Sequence, residues 1–154
     1  MTIKFPLLAC VFFCVSLFGQ QQITKKFESE ELQDIRTIQI HLPKGYERDS
    51  LSNYPLTIVL DAEYLHDLYV GNSKLFSHTD RAPKQIVVGI EMAETRLKDA
   101  SIDEARQSAL TSESSSFINF IKDELLPYLE GNYKTSPFLT IVGNGISGNL
   151  LTHF

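Results

Sequence analysis

Cysteine is almost absent from this sequence of 154 residues: Cys10 and Cys14 are its only two, and both lie near the amino terminus. If the segment that contains them is removed, the remaining chain has no disulfide, no cysteine nucleophile and no thiolate metal site. Such a chain must be held together by its hydrophobic core. Its length is sufficient for one domain with one core.

An excess of positive charge is also absent. The chain has 14 lysine and arginine residues against 19 aspartate and glutamate residues, which gives a net charge of −5. Proteins that bind nucleic acid or anionic lipid usually carry a basic patch or a positive net charge. We therefore expect neither nucleic acid nor a lipid surface among the partners of this protein.

Histidines are few and do not form a metal-binding motif. The four are His41, His66, His78 and His153, and no two are separated by the four residues that place paired ligands on one helix face. We expect them on the surface or on helix faces. The sequence therefore predicts no metal and no cofactor.

Long apolar runs are limited to one, at residues 5–18, which follows the early charge of Lys4. A basic start, a short apolar stretch and a small residue such as Gly19 are typical of a secretory signal peptide. The run is shorter than the roughly 20 apolar residues that cross a bilayer, so no stable membrane span is predicted. We predict a signal peptide at residues 1–19, a polar lead-in at residues 20–26, and export to the periplasm or the cell exterior. An uncleaved membrane anchor is the alternative.

The remaining chain alternates strand and helix patterns. Ile38, Ile40 and Leu42 alternate with polar residues, which predicts a half-buried strand. Three apolar runs are typical of buried parallel strands, at residues 55–61, 85–90 and 138–142. The alternation predicts an α/β fold with a mostly parallel sheet covered by helices on both faces. No later strand remains in this sequence to pair with the last one, so we expect an open sheet edge that favours self-association.

Two helices are predicted between these strands. The first covers residues 62–76, with Leu65, Leu68, Tyr69 and Leu75 on one side. The second covers residues 117–129. Three consecutive serines at 114–116 are candidates for its N-cap, and Pro127 should kink it. A polar stretch at residues 91–115 predicts a long loop before it.

A glycine-rich turn, GNGISG at residues 143–148, follows the last predicted strand. Its letters match the G-x-G-x-x-G of a dinucleotide site, but the acidic residue expected about 20 positions later is beyond this sequence. They also match a nucleophile elbow, G-x-S-x-G, in which small residues flank a serine by two positions. With Gly143 as the first small residue, Gly145 occupies the nucleophile position. In a shifted register Ser147 is the nucleophile. An ordinary tight turn without chemistry remains a third interpretation.

Four segments of the chain resemble, in the same order, segments of one protein family. They are residues 36–46 (RTIQIHLPKGY), 54–61 (YPLTIVLD), 86–90 (IVVGI) and 117–129 (FINFIKDELLPYL). Together they are similar to the Putative esterase family of α/β-hydrolases, which includes esterase D and the ferric enterobactin esterases. The resemblance extends from about Phe27 to Phe154 and covers only the amino-terminal part of that fold.

The resemblance implies roles for several residues of the turn. The family's elbow is similar to GHS-x-GG, which matches Gly143 to its first glycine, Asn144 to its histidine and Gly145 to its serine. The backbone amides of Ala62 and Ile146 resemble the family's oxyanion donors. The acid and the histidine of the family's triad follow the elbow and lie beyond residue 154.

The sequence therefore predicts a truncated esterase-like α/β-hydrolase domain over residues 27–154. The resemblance implies a small-molecule ester as substrate, and the replaced nucleophile implies that the chain as given is inactive. Two alternatives remain open: a non-catalytic relative that binds an ester-like ligand, or a gene fragment. A nucleotide-binding α/β domain is a further alternative.

Overall fold

A five-stranded sheet forms the centre of the computed structural model, which describes residues 22–103 and 109–154. The strands of this sheet are β1 (Gln22–Ser29), β2 (Asp34–His41), β3 (Tyr54–Val59), β4 (Ile86–Ile90) and β7 (Thr135–Val142). Their order across the sheet is β1-β2-β4-β3-β7. Two short strands, β5 (Ile102–Asp103) and β6 (Ala109–Leu110), pair as a separate antiparallel ribbon within the predicted long loop.

Strands β4, β3 and β7 are parallel neighbours, whereas β2 runs antiparallel to both β1 and β4. Four of the five strands therefore point the same way, and the predicted α/β sheet is confirmed. The sheet begins earlier than the sequence indicated, because residues 22–26 belong to β1 rather than to an irregular lead-in. Ile23 and Phe27 of this strand pack against the core, while Thr24 and Lys26 face solvent.

Helices cover both faces of the sheet. Helix α1 (Ala62–His78) lies on one face, and a long helical segment made of α3 (Ser112–Asn119), a π-helical turn (Phe120–Leu125) and α4 (Leu126–Asn132) lies on the other. The remaining helices are α2 (Arg96–Ala100), α5 (Ile146–Leu150) and a 3₁₀ turn (Leu151–His153). Fully buried residues of the long segment, Phe117, Phe120, Ile121, Leu125 and Leu129, form much of the main core.

The long helical segment widens into the π-helical turn just before Pro127. A proline ring clashes with the carbonyl four residues earlier in an α-helix, and a π-helical turn relieves that clash. The segment begins at Ser112, two residues before the predicted serine caps. Its cap is Thr111, whose side chain accepts a 3.1 Å hydrogen bond from the Ser114 amide. The predicted N-cap at residues 114–116 was therefore wrong.

Helix α1 buries a different face from the predicted one. Its buried residues are Ala62, Leu65, His66, Val70 and Ser73, whereas Leu68 and Leu75 are each 57% exposed. The helix packs against β4 at Gly89, where an added Cβ would lie 2.7 Å from the Ala62 Cβ. This close approach orients α1 and turns Leu68 and Leu75 away from the sheet. Of the apolar side indicated by the sequence, Leu65 is buried but Leu68 and Leu75 are not.

Strand β7 is an edge strand and pairs only with β3 among the described strands. The open edge predicted from the sequence is therefore present within residues 22–103 and 109–154. The prediction of a buried strand was wrong, because Phe138 is 67% and Leu139 is 37% exposed. An apolar run in the sequence does not distinguish a strand flanked on both sides from one at the edge.

Candidate functional site

Two strand-to-helix connections leave the same edge of the sheet side by side. Strands β3 and β7 are parallel, with Val59 opposite Val142, and the Leu60 amide extends the ladder with a 2.8 Å hydrogen bond to the Val142 carbonyl. Because the carboxyl ends of parallel strands meet at one edge, the residues that follow them converge. The sequence-predicted residues Ala62, Gly145, Ile146 and Ser147 all lie in these two connections, and so does Asp61.

Each connection contains a residue with positive φ immediately before its helix. Asp61 has φ 54° and ψ 48°, and α1 begins at Ala62. Gly145 has φ 60° and ψ −120°, and α5 begins at Ile146. The amides of Ala62 and Ile146 have no partner within their own helices, because the first residues of a helix have no preceding carbonyl to bond to. Both amides are therefore located where a negatively charged oxygen could accept from them.

The glycine turn packs so tightly that one of its glycines is required. An added Cβ on Gly143 would lie 2.7 Å from the backbone carbonyl carbon of Ser147 and 2.8 Å from the Gly148 nitrogen. Gly145 is different, since an added Cβ would meet only the Arg96 guanidinium, at 3.5 Å. Position 145 therefore has space for a side chain, and only its positive φ disfavours one.

Ser147 lies in the first turn of α5 and is fully buried. Its Oγ is 2.5 Å from Asp61 Oδ2 and 2.9 Å from the Asn144 carbonyl oxygen, so its single proton is donated to one of these acceptors. The same Oγ accepts a 2.9 Å hydrogen bond from the Asn144 amide. The Ser147 hydroxyl thus connects the elbow to the Asp61 connection, and it is not exposed to solvent.

Arg96 of α2 joins the same two connections from outside. Its Nε donates to Asp61 Oδ1 at 2.7 Å, and its Nη2 donates to the Asn144 carbonyl at 2.7 Å. The Asp61 carboxylate is 1% exposed, and both of its oxygens are hydrogen-bonded, Oδ1 to Arg96 and Oδ2 to Ser147. Arg96 itself is 31% exposed. The sequence gives no sign that Asp61 and Arg96, which are 35 positions apart, form an ion pair.

Glu63 of α1 and the acidic residues that follow β4 form contacts that hold the loop after β4 in place. Glu63 of α1 accepts hydrogen bonds from the backbone amides of Met92 and Ala93, which fixes the start of this loop. Asp99 is fully buried and forms a 2.9 Å ion pair with Arg36 of β2. Burial raises the pKa of Asp99, and the hydrogen bond from Thr95 and the charge of Arg36 act against that increase. A second loop acid, Glu91, accepts from Gln39 at 2.8 Å.

No histidine is hydrogen-bonded to Ser147 within residues 22–103 and 109–154. His41 and His66 are 4% and 1% exposed. The expectation of a surface or helix-face position was wrong for His41, which ends β2, whereas His66 lies on a helix face, the buried one of α1. In the part of the chain that the structure describes, no group of three or more His, Cys, Asp or Glu side chains could hold a metal ion. No helix in that part has the length and apolarity needed to cross a membrane.

Comparison with known proteins identifies relatives for most of the chain. The family model described as Putative esterase matches residues 29–150. The structure is similar to an uncharacterised protein from Capnocytophaga ochracea, with 30% identity, a TM-score of 0.72 and coverage of 79% of this chain and 32% of that one. It is also similar to an IroE-like serine hydrolase from Shewanella oneidensis, with 29% identity, a TM-score of 0.71 and coverage of 85% and 44%.

The fold is shared with a more distant protein, the enterobactin esterase FES from Shigella flexneri, with 20% identity, a TM-score of 0.63 and coverage of 84% of this chain and 31% of that one. No curated protein sequence matched the chain. The chain thus spans between 31% and 44% of the length of these three structures.

Proposed function

Because the chain belongs to the Putative esterase family of α/β-hydrolases, we propose that it is the amino-terminal part of an exported esterase-like hydrolase in which Gly145 occupies the nucleophile position. The chain of 154 residues would then not hydrolyse esters by a serine mechanism. Its site would be shaped for a small ester-like ligand. The observation that supports this proposal most directly is the backbone of Gly145, with φ 60° and ψ −120°, at a strand-to-helix turn next to the Asp61 connection.

The strained backbone at Gly145 supports this register. A nucleophile elbow holds its central residue on a sharp turn between strand and helix so that the side chain is exposed. Gly145 is exposed and has positive φ, and small residues flank it by two positions at Gly143 and Ser147. The position that would carry the nucleophile therefore has no side chain to form an acyl intermediate.

The surroundings of Ser147 argue against the shifted register. A serine nucleophile needs a base within hydrogen-bond reach and a path to the substrate carbonyl. Ser147 is fully buried, and the acidic group that contacts it, Asp61, is ion-paired with Arg96. We therefore assign Ser147 to the packing of the turn rather than to chemistry.

The dinucleotide alternative has support only from the letters of the turn. In that motif the glycines allow a pyrophosphate to approach the backbone. Here the requirement for glycine at 143 arises from the backbone of Ser147, at 2.7 Å from an added Cβ. The non-catalytic ligand-binding alternative is compatible with the same Ala62 and Ile146 amides, and it makes the same prediction of no turnover.

Hydrolysis of short p-nitrophenyl esters tests the proposal. The wild-type chain, Ser147→Ala and Gly145→Ser should all release p-nitrophenol at the rate of buffer. Gly145→Ser restores the hydroxyl but not the base, which leaves the serine unactivated. The matched control is Ser77→Ala, a half-buried serine near the carboxyl end of α1. Turnover by the wild type that Ser147→Ala abolishes and Ser77→Ala preserves would show that Ser147 is the nucleophile and that the proposed register is wrong.

A further inference from the structure

A cavity of about 830 Å³ lies at the end of the sheet opposite the elbow. It is enclosed by the turn after β2, the second half of α1 and the residues just before β4. His41 ends the antiparallel strand β2 and pairs with Val87 near the start of β4, whereas Gly145 follows the end of β7. The cavity is therefore at the amino ends of the parallel strands, and it is separate from the site described above.

The floor of the cavity contains two polar side chains that are largely buried and that no other side chain engages. His41 is 4% and Ser73 is 8% exposed, and both line the cavity. Among the residues that the structure describes, neither side chain has a hydrogen bond. The His41 side chain lies on the α1 side of the sheet, because its partner Val87 packs in the cluster with α1. Their polar atoms open into the cavity, where a ligand could form hydrogen bonds with them.

The rim of the cavity is strongly cationic. Four of its lining residues carry a permanent positive charge, Lys44, Arg48, Lys74 and Lys84, and Glu47 is the one acid among the lining residues. This is the reverse of the chain as a whole, in which acids outnumber bases by 19 to 14. The charges affect the floor as well, because burial and then Lys74 lower the pKa of His41 to about 4.

The lysines of the rim are only partly engaged by the protein. Lys84 donates one 3.0 Å hydrogen bond to the Lys44 carbonyl, and an ammonium group has three protons to donate. The Lys74 ammonium has no hydrogen bond or ion pair within residues 22–103 and 109–154. Like charges that share one cavity repel one another, and an anion bound there would offset that repulsion.

We propose that this cavity binds a small organic anion that carries two or more negative charges on phosphate or carboxylate oxygens. The lysine ammonium groups would neutralise the charge, and the His41 imidazole and the Ser73 hydroxyl would hydrogen-bond to the oxygens at the floor. The volume is within the range of roughly 300–1,000 Å³ that is typical of small-molecule sites. This anion site is independent of the elbow and of its chemistry.

Calorimetric titration of the full chain with pyrophosphate and with citrate tests the proposal, at an ionic strength held constant with sodium chloride. We expect saturable binding of at least one of them, with a Kd below about 1 mM. The anion that binds with the lower Kd identifies phosphate or carboxylate as the preferred group. The cavity is bordered by β2, three strands from the open edge at β7, so association through that edge leaves it accessible. Titration heats no larger than those of sodium chloride would overturn the proposal.

Substitutions distinguish this site from general attraction to a charged surface. Lys74→Gln should weaken binding about tenfold, because it removes a charge-assisted hydrogen bond. Ser73→Ala should weaken it severalfold while preserving the helix. The matched control is Lys98→Gln, an exposed lysine of α2 that does not line the cavity. Thermal melting of each variant checks folding. An equal loss of affinity in Lys74→Gln and Lys98→Gln would mean that the anion binds without using the cavity.

Discussion

Ser147 Oγ lies 2.5 Å from Asp61 Oδ2, although the two residues are 86 positions apart in the chain. Asp61 also accepts from Arg96, so the turn after β3, the turn after β7 and helix α2 converge on one buried carboxylate. The position of the elbow relative to the β3 connection depends on this carboxylate. The predictions below begin with its removal.

Asp61→Asn should destabilise the fold by about 2–3 kcal/mol, since it leaves Arg96 without its counter-ion and removes a charged acceptor from Ser147. Asparagine tolerates positive φ much as aspartate does, so the loss would not be due to backbone strain. Asp80→Asn is the matched control: Asp80 has φ 55° but is exposed, and we expect a change within about 0.5 kcal/mol. Urea unfolding of both variants measures the difference. Equal losses in both variants would show that the buried pair contributes nothing specific.

Three glycine-to-alanine substitutions should affect stability in a fixed order. Gly71→Ala, in the exposed middle of α1 with nothing within 4 Å of the new Cβ, should stabilise the chain by roughly 0.5–1 kcal/mol. Gly145→Ala has space but retains φ 60°, and should cost about 1–2 kcal/mol. Gly143→Ala places its Cβ 2.7 Å from the Ser147 backbone and should cost the most. Thermal melting of the three variants checks this order, and a neutral Gly143→Ala would contradict the packing of the turn.

Acidification should reduce stability through His41. Its pKa is lowered from 6.5 to about 4 in the folded chain by burial, by Lys74 and by His66. In the unfolded chain His41 therefore binds a proton below about pH 6.5, whereas in the folded chain it does so only below about pH 4. The contribution of the neutral His41 is present above pH 6.5 and is lost across this window, on the order of 2–3 kcal/mol.

Chemical unfolding of the wild type, His41→Gln and His153→Gln between pH 7.5 and pH 4 measures this effect. The stability of His41→Gln should fall less steeply with pH than that of the wild type. The exposed His153 controls for the removal of a histidine as such. Parallel curves for all three proteins would show that His41 is not buried as described.

The open edge of β7 should make the chain self-associate. An unpaired apolar strand is a template for pairing with another chain, and Phe138 is 67% exposed on it. Phe138→Lys should shift the chain toward smaller species in size-exclusion chromatography with light scattering. Leu51→Lys, at a loop position that is 96% exposed, is the control and should leave the distribution unchanged. A monodisperse wild-type monomer with a sharp melting transition would contradict the open edge as a site of association.

Export predicts a shortened amino terminus. The charge at Lys4, the apolar residues 5–18 and Gly19 lead us to expect cleavage close to residue 19. Amino-terminal sequencing of periplasmic or secreted material identifies the first residue of the mature chain. Lys4→Glu should reduce export, and Lys26→Glu, beyond the predicted cleavage position, should not. An intact Met1 on protein recovered from the cytoplasm would exclude the signal peptide. Residues 1–19 lie outside the described residues.

Local patterns in the sequence were sufficient to predict the strands of the sheet, but they did not predict which faces of the strands and helices are buried. The apolar runs at β3, β4 and β7 identified the strands, because β-branched apolar runs rarely form anything else at that length. The same runs gave no sign that β7 is exposed, since burial depends on what packs beside a strand. The face of α1 was predicted wrongly at Leu68 and Leu75, because apolar residues occur all around this helix and Gly89 decides which face lies against the sheet.

The sequence by itself determined the order of strands and helices, the family resemblance and the position of the glycine turn, because these depend on neighbours in the chain. Only the tertiary structure brought Asp61, Arg96 and Ser147 together, and only it left His41 buried beneath a rim of lysines. Contacts between residues 35 or 86 positions apart depend on the parallel register of β3 and β7 and on the path of the loop after β4. No periodicity or spacing in the sequence encodes that geometry, since it arises when the strands pair and the helices pack on them.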